Sequence, residues 1–359
     1  MDFPNVSIII LNYNGKRLLG SLLNENIESV LSTDYSNFEV LFVDNGSSDG
    51  SVEYVKEKYG NISRLKVISL GKNYGLDGGY NRAISYVNNT SKYIAFLHSD
   101  VIVKSNWLKE IIRVLEEDEL IGAAQPMILG PRAKGSFCGL NYIDQYGYVI
   151  PTDHGIRKAL VDKEYYEIAF PLACCSVVRR SVLSKFGYLY NEDFEVYYDD
   201  VDFGLRLWIM GYKVAYVPKV HIYHHEGGTL TKVIKPKKAL YLDARNRIYS
   251  VLSICDMVHI LKTLPFSILT STALLILSGD KDSFKILKFL KRIVMTRKII
   301  QKRKKVTFRD LIGRVVLIPK PNFPRPLYTF LYLIFKTPKY SFYVSKEFEI
   351  VIPNPWQKE

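Results

Sequence analysis

Apolar runs alternate with helix-patterned stretches through the first half of the chain, which predicts βαβ units on a parallel sheet. The runs VSIIIL (Val6 to Leu11), FEVLFVD (Phe38 to Asp44), LKVISL (Leu65 to Leu70) and YIAFLH (Tyr93 to His98) are continuous. Continuous runs of this length belong to strands covered on both faces. Helical spacing falls in LLGSLLNENIESVL, in VEYVKEKY and from about Gly78 to Val87, and NWLKEIIRVLEE leads on to the run IGAAQPMIL. Residues 130 to 170 are less regular and predict hairpins or a mobile loop. Order returns with helices at SVLSKF and around VDFGLRLWIMG, a strand YKVAYVP, and the polar cluster HIYHHEGGT. From Lys237 the chain reads as helical, first apolar and then basic. The expected division is an α/β domain over residues 1–245 and a mostly helical region over 246–359.

Composition adds two constraints. With 359 residues, 48% hydrophobic and 24% charged, the chain is of ordinary globular make-up. Its four cysteines have no C-x-x-C spacing and indicate neither a zinc site nor a disulfide framework; Cys174 and Cys175, in an apolar run, read as buried. The opening MDFPNVSIII has no basic stretch followed by a long apolar segment, so a cytoplasmic setting is expected. The net charge of +13 is local, because residues 281–305 hold eleven Lys and Arg against Asp282 alone, a net of +10.

The ends of the predicted strands carry the chemistry. Asn12-Tyr13-Asn14-Gly15, Asp44-Asn45-Gly46-Ser47, Lys72-Asn73-Tyr74-Gly75 and His98-Ser99-Asp100 each follow a strand, where open α/β sheets bind ligands. Each alone is ordinary turn chemistry; together they line one sheet edge that could hold a nucleotide, with Asp44 accepting from a base. No G-x-G-x-x-G follows the first strand and no G-x-x-x-x-G-K-[ST] occurs, so a diphosphate here needs a divalent cation. Asp100 is the natural oxygen ligand and His98 could add a nitrogen, a choice compatible with Mn²⁺. Asp199, Asp200 and Asp202 sit at a predicted helix start, where acids cap free N–H groups. Three acids in four positions exceed what capping requires, and crowding should raise one pKa toward that of a general base. His221, His224 and His225 form a third cluster, either a surface loop or a source of one more metal ligand.

Over about residues 5 to 250 these motifs, in order and spacing, resemble the inverting glycosyltransferases of family 2, with the rhamnosyltransferase-like branch nearest. IIILNYNG resembles the family's first strand, VDNGSSDGSVEYV its nucleotide-binding turn, and NYGLDGGYNRAI its N-x-G-(small)-G-G-x-N loop. FLHSDVIV stands at the metal-binding D-x-D, YYDDVDFGLRLWIMGYKVAYVP at the Glu-Asp-Val-Asp block, IYHHEGGT at the trailing histidine motif and ALYLDARNRIYSVL at an Arg-Asn helix. The resemblance implies a GT-A fold and transfer from a nucleotide-diphosphate sugar, UDP- or dTDP-linked, to a glycan or lipid-linked acceptor. It implies Asp200 as base, Asp100 and His224 as ligands of Mn²⁺ or Mg²⁺ with His98 beside them, and donor contacts from Leu11, Asn12, Asn14, Asp44, Asn73, Gly78, Asn81 and Ser99. His98 replaces the usual Asp or Asn, and Asp77 stands where the loop is normally small. The absence of Q-x-x-R-W argues for transfer of one sugar or a few. A non-catalytic nucleotide-sugar or glycan-binding protein of the same fold is the alternative.

In FKILKFLKRIVMTRKIIQKRKK, apolar residues recur at Phe284, Leu287, Phe289, Ile293 and Ile299–Ile300 with cations between them. That is the pattern of an amphipathic helix on an anionic membrane surface, which would place the protein peripherally on the inner face of the cell membrane. Nucleic acid and plain solvation compete for any basic run. LPFSILTSTALLILS (Leu264 to Ser278) is too short to span a bilayer, and LYTFLYLIF (Leu327 to Phe335) could dip into the interface.

Overall fold

The four apolar runs of the first half form parallel strands β1 (Val6–Asn12), β2 (Phe38–Asp44), β3 (Leu65–Ser69) and β4 (Tyr93–His98), side by side in the order β3-β2-β1-β4. Their continuity has the expected cause. Ile9, Leu11, Leu41, Val43, Ile94 and Phe96 enter one core, while Ile8, Ile10, Val40, Phe42, Ala95 and Leu97 enter the other. The computed structural model describes residues 3–130, 137–150, 163–225, 236–262, 265 and 286–317.

Beyond β4 the sheet becomes mixed. β5 (Val101–Val103) pairs with β12 (Lys213–His224), and β6 (Ile121–Leu129) lies between β12 and β11 (Cys175–Arg179). β11 runs antiparallel to both β4 and β6, β7 (Phe137–Cys138) pairs with β6, and β10 (Tyr166–Glu167) closes the far edge on β12. β8 (Tyr142–Asp144), β9 (Val149–Ile150) and β13 (Val316–Leu317) make a separate small sheet. The irregular middle thus contains short hairpin strands, while residues 131–136 and 151–162 lie outside the described residues.

Helices differ from the sequence expectation at their ends. Gly20, at φ 62°, splits the first into α1 (Gly15–Leu19) and α2 (Ser21–Leu31). After α3 (Ser51–Tyr59), α4 starts at Gly75 rather than Gly78 and ends at Ala83, continuing as a 3-10 turn to Tyr86. α5 (Trp107–Glu117) buries Trp107, Leu108, Ile111, Ile112 and Leu115, the i, i+3, i+4 stripe of an amphipathic helix. α6 (Arg180–Phe186) and α7 (Asp199–Ile209) follow. The strand read over YKVAYVP continues to His224, with a register shift across Pro218, which has no N–H for the ladder.

The boundary expected at residue 245 falls inside α8 (Pro236–Ile254), which runs unbroken across it. α9 (Ile286–Arg303) packs on α8 through Ile293 and Ile300, both nearly fully buried. Arg297 donates to the carbonyls of Leu252 and Cys255, and Gln301 to that of Ile254. Part of the stripe expected to face a membrane is therefore spent inside the protein. Leu290, Val294, Met295 and Ile299 remain exposed. Among the described residues, no helix is long and apolar enough to cross a membrane. Leu327 to Phe335, and all of Leu264 to Ser278 except Pro265, lie outside the described residues.

Candidate active site

The strand register brings three of the predicted clusters to one edge. Asn12 stands opposite Asp44, and Leu11 opposite His98, at the carboxyl ends of β1, β2 and β4. The chain order reverses about β1, so this edge is a topological switch point. The loops there lock one another. Asn12 Nδ2 donates to Asp44 Oδ1 at 2.8 Å, Ser47 N donates to Asp44 Oδ2 at 2.9 Å, and the Ser47 hydroxyl also reaches Oδ1. Asn14, in left-handed conformation at φ 51°, donates its N–H to Ser47 Oγ and accepts from Ser48 N. Gly46 presses on the third loop, where a Cβ would lie 2.4 Å from the Lys72 carbonyl carbon. Asn45 spans the same gap, donating to Asn73 Oδ1 and accepting from Tyr74 N.

Asp44 is buried and already accepts three hydrogen bonds, leaving about one of its four lone-pair sites for a base. Leu11 packs where Gly79 has no side chain. Gly78 is hemmed in by Tyr74 and Arg82. Asn81 is turned elsewhere: it accepts from Leu189 N and Tyr190 N and donates to the Tyr190 carbonyl. Its amide therefore clamps the 189–190 backbone. Ser99 is buried in the turn between His98 and Asp100.

His98, Asp100 and His224 converge, with one ligand atom from each within 4.8 Å of the others. His224 Nε2 lies 3.3 Å from Asp100 Oδ1, and His98 Nδ1 lies 4.0 Å from the same oxygen. The β5–β12 ladder makes this meeting possible by pairing Val101 with His224, and His225 N donates to the Asp100 carbonyl at 3.0 Å. Side chains alternate along a strand, which places His221 on the opposite face from His224. Burial pulls His98 down to about 4, so its imidazole is neutral. Burial also opposes charge on Asp100, but the hydrogen bond and charge of His224 hold it below the usual carboxylate range. Against its own burial, contact with Cys174 and Asp100 pushes His224 up to about 11. Two imidazoles and a carboxylate are a mixed nitrogen and oxygen donor set, and His98 Nε2 is buried without a partner. Such a set suits Mn²⁺ better than the all-oxygen preference of Mg²⁺.

The three acids at the start of α7 separate into distinct roles. Asp202 is structural, paired with Arg206 at 2.7 Å and accepting from Ser250 at 2.8 Å. Asp199 is buried, and the cost of desolvating its charge raises it to about 6. Asp200 is only partly buried; burial and the neighbouring Asp199 charge raise its pKa well above that of an ordinary carboxyl. The segment leading into these acids is strained, with Glu195, Tyr197 and Tyr198 all at φ of 65–66°. The Arg-Asn pair of α8 holds it. Asn246 Nδ2 lies within 3.1 Å of the carbonyls of Phe194, Val196 and Tyr197, and Arg245 donates to those of Asp193 and Phe194. Replacing Asn246 by Ala takes this donor from the Val196 and Tyr197 carbonyls. Stability should fall by about 2–3 kcal/mol, read as a lower midpoint in chemical denaturation.

A model of glycosyl transferase family 2 matches residues 7–187. The chain belongs to that family. This family 2 chain is 25% identical over 244 residues to the uncharacterized protein y4gI of Sinorhizobium fredii, covering 66% of itself and 26% of that protein. It is 29% identical over 120 residues to an uncharacterized glycosyltransferase of Haemophilus influenzae, covering 33% of itself and 35% of the relative. It thus spans only about a quarter to a third of the length of these two relatives. A second uncharacterized glycosyltransferase of Haemophilus influenzae is 29% identical over 205 residues, 51% of this chain and 76% of the other. Among solved structures, GalNAc-T7 with UDP, GalNAc and Mn²⁺ superposes with a TM-score of 0.63 at 16% identity, over 87% of this chain and 57% of that one. TarS 1-349 of S. aureus with UDP-GlcNAc gives 0.56 at 16% identity, over 83% of each chain. At such identities the likeness is one of fold, an α/β GT-A domain.

Sequence reasoning missed three participants. The Cys174 carbonyl accepts from His98 N, and its thiol touches His224. Tyr80 stacks on His98, with ring centroids 6.3 Å apart, and meets Tyr190 edge-on. Tyr80 alone had a legible signal, lying one turn beyond Leu76 in α4. Cys174 and Tyr190 arrive by long-range packing.

Proposed function

We propose that this chain is an inverting glycosyltransferase that moves a sugar from a nucleoside-diphosphate donor to an acceptor hydroxyl. The convergence of His98, Asp100 and His224 beside the nucleotide-facing loops carries the reading. Asp200 takes the acceptor proton as the acceptor oxygen bonds to the anomeric carbon; the bond from that carbon to the diphosphate oxygen breaks on the opposite face, inverting configuration. A bound Mn²⁺ or Mg²⁺ supplies charge neutralisation for the departing diphosphate. His98, Asp100 and His224 would hold it. Asn12, Asn14 and Asn73 fix the loops that face the nucleotide, and Asp44 offers its remaining acceptor site to the base. Uridine or thymidine diphosphate is the favoured carrier, in line with the UDP present in the GalNAc-T7 structure. Thermal stabilisation by a panel of nucleotide sugars with Mn²⁺, followed by donor turnover with and without it, tests the reading. Binding without turnover across acceptors would instead make the protein a non-catalytic binder.

We further propose that α9 docks on an anionic membrane surface and brings the site to a lipid-linked acceptor. Val294 and Met295 share the outer face of the helix with the exposed Lys291 and Lys298, and Leu290 and Ile299 are exposed on its two flanks. A lysine near such a surface contributes about 1 kcal/mol. Replacing both Lys291 and Lys298 by Ala should therefore weaken co-sedimentation with phosphatidylglycerol vesicles about 30-fold, while leaving weak binding to neutral vesicles unchanged.

A further inference from the structure

One neighbourhood of the site collects polar atoms that the protein itself does not satisfy. Among the described residues, both carboxyl oxygens of Asp77, Oδ2 of Asp199 and the hydroxyls of Tyr80 and Tyr190 are buried without a hydrogen-bond partner. These groups lie together. Asp77 and Tyr80 stand three apart on α4, on one side of the helix, and Tyr80 is 6.1 Å from Tyr190 and 6.3 Å from His98 between ring centroids; Asp199 raises the pKa of Asp77, so it stands close by. Buried polar groups are ordinarily paired, so a cluster of unpaired ones points to a missing polar occupant.

The nearby cations already hold partners, although Nη1 of Arg206 is itself buried without one. Arg82 bonds Glu192 and the Gly78 carbonyl, and Arg206 bonds Asp202 and the Leu189 carbonyl. An anion is disfavoured beside the carboxyls of Asp77, Asp199 and Asp200. A neutral group that both donates and accepts hydrogen bonds suits a carboxyl flanked by phenols.

The geometry points to Asp77 as a specificity-determining residue that hydrogen-bonds a hydroxyl of the transferred sugar. Asp77 lies in the first turn of α4, between the loop of Asn73 and the acids of α7, and is 1% exposed. The proposal rests on the donor reading above.

The test measures binding of UDP, UDP-glucose, UDP-galactose, UDP-GlcNAc, dTDP and dTDP-rhamnose to the full chain with Mn²⁺, in wild type, Asp77→Ala and Asp77→Asn. Wild type should bind one sugar nucleotide at least tenfold more tightly than its bare diphosphate. In Asp77→Ala that ratio should fall to near one while bare-diphosphate affinity stays within twofold. Asp77→Asn, which keeps a carbonyl acceptor, should retain part of the ratio. The ligand-free melting temperature of Asp77→Ala should be unchanged or higher, since a buried unpaired carboxyl is removed. An unchanged ratio in Asp77→Ala overturns the proposal, as does a clear drop in its ligand-free melting temperature. A wild type that binds bare diphosphate and no sugar nucleotide more tightly also overturns it, leaving nucleotide binding intact. Failure to bind any of the six overturns the donor reading itself.

Discussion

Asp200→Asn is expected to lower kcat for sugar transfer by about 10²–10⁴-fold, the usual contribution of a general base. The donor KM should stay near that of wild type, because the base acts on the acceptor. The amide is a fair probe of chemistry. Asp200 Oδ1 accepts from Val201 N at 2.8 Å, and an asparagine oxygen can keep that bond. Steady-state kinetics and a denaturation curve on the same preparation check both halves, and a kcat within tenfold of wild type would remove Asp200 from the role. The pH dependence has a defined sign. A base works deprotonated, so activity should rise with pH through the titration of the Asp199–Asp200 pair, whose Asp199 member lies at about 6. Asp200→Asn should flatten that rise. Folding raises both carboxyls, so their contribution to stability is greatest below about pH 4 and is lost as pH climbs through their folded values. Removing the Asp200 carboxyl should therefore help stability most at neutral and alkaline pH.

Asp100→Ala is expected to cost about 10³-fold in kcat/KM, since a cation at a departing diphosphate supplies several kcal/mol. The Asp100 carbonyl still accepts from His225 N, so the local backbone has reason to persist. Two further readouts separate lost cation binding from unfolding. Stabilisation of the protein by Mn²⁺, measured as a melting shift, should disappear. His224, freed of its carboxylate partner, should titrate well below about 11. Retained turnover with a retained Mn²⁺ shift would put the cation elsewhere.

The parallel strands were legible because a strand covered on both faces must be apolar throughout, and the placing of Asn12, Asp44 and His98 at its ends followed directly. The division of labour among the three acids came from the structure, which pairs Asp202 with Arg206 one turn on and leaves Asp200 outside that pair. Other features depend on partners far away in sequence. Nothing around Asn81 reveals that its amide serves residues 189–190. Periodicity in α9 likewise identifies an apolar stripe without saying whether lipid or α8 covers it. His98 looked like a departure in a motif, and only the β5–β12 ladder brings His224 alongside it.

That ladder has a consequence for how the protein is made. The loops behind β1, β2 and β3 interlock within the segment ending at Gly75, early in synthesis. His224 pairs opposite Val101 only after β12 has been made and inserted beside β6. A nascent chain can thus assemble this edge of the sheet long before His98, Asp100 and His224 can meet. On the proposed reading, sugar transfer would wait for the last described strand of the large sheet, and activity would report that the sheet has been finished.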